Sequence, residues 1–166
     1  MVEMLGDFDE TADLRDLAPA LCGRVAIDLG GVRRYSSAGV REWIHFVRSL
    51  PSEAELALVG CSTASVTQLN LIDNFRGPAR VESFWAPYAC PNCSAEREVL
   101  LEARVCGNGS LSSPGSSPGS SPGRVPAPPA VPCLGCGQPM VLNELPQHYL
   151  LFLADRPVRL AERAVA

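Results

Sequence analysis

Apolar positions in this chain fall into short blocks separated by polar turns. Val25-Ala26-Ile27-Asp28-Leu29 is one such block, closed by Gly30-Gly31, and it reads as a buried strand. Beyond it, Val40, Trp43, Ile44, Val47 and Leu50 recur at steps that keep to one side of a helix. Ser36 or Ser37 can accept a hydrogen bond from the free amides at its start, and Pro51 stops it. The rest of the chain is expected to be arranged around this strand, turn and helix. The turn presents hydroxyls and backbone N–H groups at a positive helix end.

Flanking blocks repeat the alternation. Val2 to Leu5 is a very short strand, turned by Gly6-Asp7-Phe8-Asp9. Leu14, Leu17, Ala18 and Leu21 predict an amphipathic helix, capped by Asp9 or Thr11 and stopped by Gly23, with Pro19 disturbing its last turn. Glu55 to Val59 is another strand, ended by Gly60. Ser62-Thr63 then caps a helix carrying Val66, Leu69, Ile72 and Phe75; Gly77-Pro78 breaks it, and Ala79 to Trp85 is extended. The order β-α-β-α-β-α-β predicts an α/β fold, a sheet covered by helices.

After Tyr88 the pattern changes. Cys90-Pro91-Asn92-Cys93 precedes a strand at Arg97–Val105, and Ser-Ser-Pro-Gly repeats three times over 112–123. Few side chains between 107 and 131 can build a core, so this stretch is expected to be a disordered insertion. Cys133-Leu134-Gly135-Cys136 restores order, followed by a strand at Met140–Leu142 and an apolar stretch at Tyr149–Leu153. The expected organisation is an α/β domain over 1–87, a second module over 88–153 and a C-terminal tail over 154–166.

Composition narrows the function classes. Apolar residues make up 46% and charged residues 19%, ordinary for a globular protein. A net charge of −4 gives no electrostatic footprint for nucleic acid or an anionic membrane. No apolar run approaches the ~18 residues of a membrane span. The acidic first residues lack a secretory apolar core, so a cytoplasmic setting is expected. All 14 basic residues are Arg, which excludes a P-loop lysine, a Schiff-base lysine and a kinase strand lysine. That bias fits a GC-rich bacterial coding sequence.

Seven cysteines are present, four of them in two CxxC pairs. In a reducing cytosol that pattern points to metal rather than disulfides. Cys90, Cys93, Cys133 and Cys136 are the expected ligands of a tetrahedral, structural Zn2+, because four thiolates leave no position for water. Asn92, Gly135 and Gly137 suit tight knuckle turns. The 39 residues between Cys93 and Cys133 do not defeat the site. Doubling a loop costs only about 0.6 kcal/mol, against roughly 10 kcal/mol from structural zinc in small fingers. A redox pair or a metal-free relic are the alternatives for these thiols. Cys106 and His148 are weaker candidate ligands, and Cys22 is expected to be a buried apolar residue. Cys61 stands where a strand meets a helix, a place that lowers a thiol's pKa, but a phosphatase loop would need Arg at Thr67. His45 is expected on the solvent side of its helix. With no Ser-His-Asp order and no open metal position, an enzyme is not expected.

Gly6-Asp7-Phe8-Asp9, Ile27-Asp28-Leu29, Ser37-Ala38-Gly39-Val40 and Leu56 to Gly60 together carry a family likeness. In their order and spacing, residues 1–85 resemble the STAS domain of bacterial anti-sigma-factor antagonists. The two knuckles with their flanking strands resemble a zinc ribbon. The STAS resemblance implies a non-catalytic signalling module that binds a protein partner, such as an anti-sigma factor or a kinase-like regulator. Partner contact is then expected at Arg33, Arg34, Ser36, Ser37 and Gly39. The family's usual turn is Asp-Ser-Ser/Thr-Gly, with the last hydroxyl phosphorylated; here Ala38 stands at that position, which leaves Ser37 as the candidate phosphorylation site. The family also has a strand before the Gly-x-x-Asp turn. Only Met1 to Leu5 precede it here, so an exposed sheet edge is expected. The alternative is a nucleic-acid-associated zinc-ribbon factor, which the scarcity of Arg around the knuckles disfavours.

Overall fold

A computed structural model describes residues 1–51, 53–107 and 127–154. Within them, β1 (Val2–Phe8), β2 (Arg24–Tyr35), β3 (Glu55–Val59) and β4 (Arg80–Val81) form a parallel sheet in that order. Helix α1 (Ser37–Ser49) links β2 to β3, and α2 (Thr63–Leu71) links β3 to β4. A second, antiparallel sheet runs β6 (Glu96–Glu102), β5 (Ser83–Ala89), β8 (Pro139–Leu142), β7 (Val131–Pro132). The fold is mixed α/β with two sheets. Strand β5 joins them: the Cys61 amide donates to the Ser83 carbonyl, and the Trp85 amide donates to the Cys61 carbonyl. Two short helices, α3 (Ala103–Gly107) and α4 (Pro146–Tyr149), complete the regular elements used below.

Strand alternation builds the core. Val25, Ile27 and Leu29 of β2 and Leu56 and Leu58 of β3 are buried on the face that carries the helices. Trp43 of α1 is fully buried there, and its indole N–H donates to the Phe75 carbonyl at 2.8 Å. The rings of Phe8, Phe46 and Phe75 surround it. Burying each such side chain stabilises the fold by about 1.5–3 kcal/mol. The expected caps are present, with Ser36 accepting from the Gly39 amide and Ser62 from the Ser65 amide.

Four expectations are corrected. Gly30-Gly31 does not close β2, which continues to Tyr35 because β1 pairs with it in parallel through Leu5–Gly31, Gly6–Val32 and Phe8–Tyr35. Gly6, Asp7 and Phe8 accordingly belong to β1 rather than to a turn; the extra residue of each register shift is taken up as a bulge. The helix expected over Leu14–Leu21 is only a 3-10 turn at Ala18–Ala20. Asp9 spends its carboxylate on the Thr11 amide and hydroxyl, Asp13 accepts from the Arg15 amide, and Pro19 has no N–H to donate. Finally, the strand expected over Arg97–Val105 ends at Glu102 and turns into α3.

The apolar stretch at Tyr149–Leu153 folds back on α2. Asn70 donates to the Tyr149 carbonyl at 3.0 Å and accepts from the Phe152 amide at 2.8 Å. The Tyr149 hydroxyl donates to the Trp85 carbonyl at 2.6 Å. Most of the expected insertion (108–126) and the tail beyond 154 lie outside the described residues. Among the described residues, no helix is long and apolar enough to cross a membrane.

Candidate metal centre

Two loops with one backbone pattern hold the CxxC pairs. In the first, the Cys90 amide donates to the Ala95 carbonyl and the Ser94 amide donates to the Cys90 carbonyl, at 2.8 and 2.9 Å. The second repeats this at 2.8 and 2.9 Å, from Cys133 to Gln138 and from Gly137 to Cys133. Both loops turn at the fourth residue after the first cysteine, with φ of 56° at Ser94 and 72° at Gly137. Glycine takes that conformation without strain and serine does so at some cost. Asn92 and Gly135 lie in the turns, as expected, and Ser94 and Gly137 close them.

The fold brings all four sulphurs together. Cys90, Cys93, Cys133 and Cys136 lie within 4.8 Å of one another, all as free thiols. Cys90 Sγ is 3.5 Å from Cys136 Sγ, and Cys93 Sγ is 3.6 Å from Cys133 Sγ. Sulphurs about 2.3 Å from a zinc ion at tetrahedral angles stand about 3.8 Å apart, so this cluster is compatible with a metal site. Pairing of β5 with β8 at Tyr88–Leu142 and Ala89–Val141 fixes the two loops side by side. Cys90 and Cys133 are buried in the core, while Cys93 is exposed and Cys136 half-buried.

Local dipoles favour thiolate at two of the four positions. The Gln138 amide, then the Asn92 side chain and Cys90, hold the Cys136 thiol down at about 6. Amides of Cys136 and Gly135 lower Cys133. At Cys93 the Ala95 amide also pulls downward, but hydrogen bonding to the thiols of Cys133, Cys136 and Cys90 outweighs it and the net shift is upward. A metal ion, by binding all four as thiolates, would remove that conflict. His148 is exposed and outside the cluster, and Cys106 is buried in α3.

Compared with family models, curated proteins and solved structures, the chain matches none of them.

The residues expected to contact a partner are placed at the end of β2 and the start of α1. Arg33 and Arg34 are exposed, yet both reach the Asp7 carboxylate, at 3.2 and 3.0 Å. Asp7 was no candidate in the sequence; its place opposite Arg34 depends on the β1–β2 register. Ser37 is exposed and Ser36 half-buried under its capping bond, whereas Gly39 is buried against the Phe8 carbonyl. Two thiols differ from expectation. Cys22 is exposed, and burial pushes the Cys61 thiol up to about 12 instead of lowering it. His45 lies on the solvent side of α1, as expected.

Proposed function

We propose that the chain is a non-catalytic bacterial regulatory protein, a STAS-like α/β domain stapled by a structural zinc ion, which docks a protein partner. The observation that carries this reading is the convergence of four thiols from two matching loops that 39 residues separate. Four sulphur ligands complete a tetrahedral shell, so a structural role is favoured over a catalytic one. The buried Cys61, protonated at neutral pH, makes a poor nucleophile and supports the same conclusion. Parallel β1–β2–β3–β4 order with α1 and α2 as crossovers supports the STAS-like assignment of residues 1–87.

The docking surface is formed by Arg33, Arg34 and Ser37, with Ser36 and Gly39 setting the turn beneath them. Its partner is an anti-sigma factor or a related kinase-like regulator. Ala38 carries no hydroxyl, so docking is constitutive or set by zinc, with Ser37 as the one hydroxyl of the turn that a kinase would reach. Elemental analysis of the purified chain tests the staple, and one zinc per chain is expected; none would remove it. Arg34→Glu and Ser37→Glu are expected to abolish partner capture in a pull-down, and undiminished capture would remove this surface.

A further inference from the structure

Helices α1 and α2 cover one face of the parallel sheet, and among the described residues the other face stays open. Parallel sheets are found almost only with both faces covered. On the open face lies a cleft of about 480 Å³, walled by Leu5, Trp85 and Leu100 and edged by the carboxylates of Glu3, Asp28 and Glu98. Its floor is bare backbone at Gly30, Gly31 and Gly60. A Cβ on Gly30 would stand 3.2 Å from the Gly60 carbonyl and 3.4 Å from the Trp85 indole nitrogen, inside the trough. Leu5 is 68% exposed and Leu100 50%, an apolar lining left in water.

Charge identifies what covers this face. Three carboxylates line the cleft and no arginine does. Glu3 and Asp28 are moreover register partners on the parallel strands β1 and β2, which sets two like charges side by side, and Asp28 also accepts from the Gly30 amide at 2.7 Å. Trp85 adds an aromatic ring against which a cation is attracted. A second copy laid face to face would set these carboxylates against their own counterparts, so self-association is disfavoured.

We propose that this cleft docks an extended segment of a partner protein through an arginine or lysine side chain flanked by apolar residues. The cation is held by Glu3, Asp28 and Glu98 against Trp85, and the apolar neighbours cover Leu5 and Leu100. The inference goes beyond the function proposed above. None of Arg34, Ser37 and the four clustered cysteines lines the cleft, so failure here leaves that reading standing, and the reverse holds too.

The test titrates the metal-loaded full chain with the blocked peptide Leu-Arg-Leu-Arg-Leu, following tryptophan fluorescence and calorimetric heat. Trp43 is fully buried, so a change in emission reports Trp85. Saturable binding is expected, absent when citrulline replaces arginine. Glu3→Lys with Glu98→Lys is expected to weaken it about tenfold. Both glutamates are exposed on the sheet, and an unchanged thermal midpoint verifies that the variant is folded. No saturable change, or binding indifferent to charge reversal or to citrulline, overturns the proposal. So does a doubled native mass that Leu100→Glu returns to monomer, because the face would then belong to a second copy.

Discussion

Gly39 lies where α1 crosses the end of β1, and a methyl group there would overlap the Phe8 carbonyl and stand 2.9 Å from the Asp9 amide. Both neighbours are backbone, so neither can swing away. Gly39→Ala is therefore expected to cost about 1–3 kcal/mol, read as a lower denaturant midpoint at unchanged slope. A wild-type midpoint would show that β1 and α1 are not in contact. The glycine of the Ser-Ala-Gly turn thus answers first to packing. Thiol reactivity is decided just as locally. At pH 7 in the metal-free folded chain, Cys136, held at about 6, is largely thiolate, whereas Cys61, pushed to about 12, is not. Iodoacetamide is expected to modify Cys136 well before Cys61. Because the Cys136 pKa is depressed, its labelling slows as pH falls below about 6. Cys61 labelling first, read by peptide mass mapping, would contradict the burial that sets its pKa.

Elements differ in how far their residues announced them. Strand β3 and helix α1 were legible because apolar period and terminating glycine or proline agree within each segment, with a serine cap on α1. The serine cap of α2 was legible too, but that helix stops at Leu71, before the expected Ile72, Phe75 and Gly77-Pro78. The two CxxC loops were legible for a related reason, since four thiols at short spacing have few structural uses apart from metal. Strand β2 was read too short because Gly30-Gly31 is a turn signal by composition, and only pairing with a distant strand overrides it. The helix expected over Leu14–Leu21 had the right apolar period, but aspartate side chains satisfied its amides locally instead. The cleft was hidden for a third reason. Trp85 has the parity opposite to Phe84 and Ala86 on β5, which says that it leaves the core but not that it lines one cleft with Asp28 and Leu5. Docking of the final apolar stretch was equally long-range, and it rests on Asn70. Asn70→Ala frees the Tyr149 carbonyl and the Phe152 amide together, a loss of about 1–3 kcal/mol for buried groups left unpaired. Hydrogen exchange is expected to quicken over 149–153 while α1 stays protected; equal exchange in both variants would place the anchor elsewhere.

For the molecule as a whole, the cysteine cluster and the helical layer share a strand. From the second knuckle the chain passes directly into β8, then to α4 and onto α2, where Phe152 meets Phe84 edge-on at 5.1 Å. The cysteine cluster thus stands at one end of a cover whose other end closes the core above β5. Tyr88 ties in the returning segment as well, donating to the Pro129 carbonyl at 3.0 Å. Among the described residues, β1 and β2 pack instead around Trp43 and the aromatic rings beside it. Unequal coupling predicts an unequal response to metal removal. Chelation is expected to speed hydrogen exchange over 139–153 and to raise binding of a hydrophobic dye as Phe84 and Phe152 part. Amides of β2 and β3 should keep their protection, because their hydrogen bonds and buried side chains do not pass through the cluster. Simultaneous loss of protection everywhere would mean that the cluster holds the entire core, and the metal would then be a condition of folding rather than a staple on one side of it.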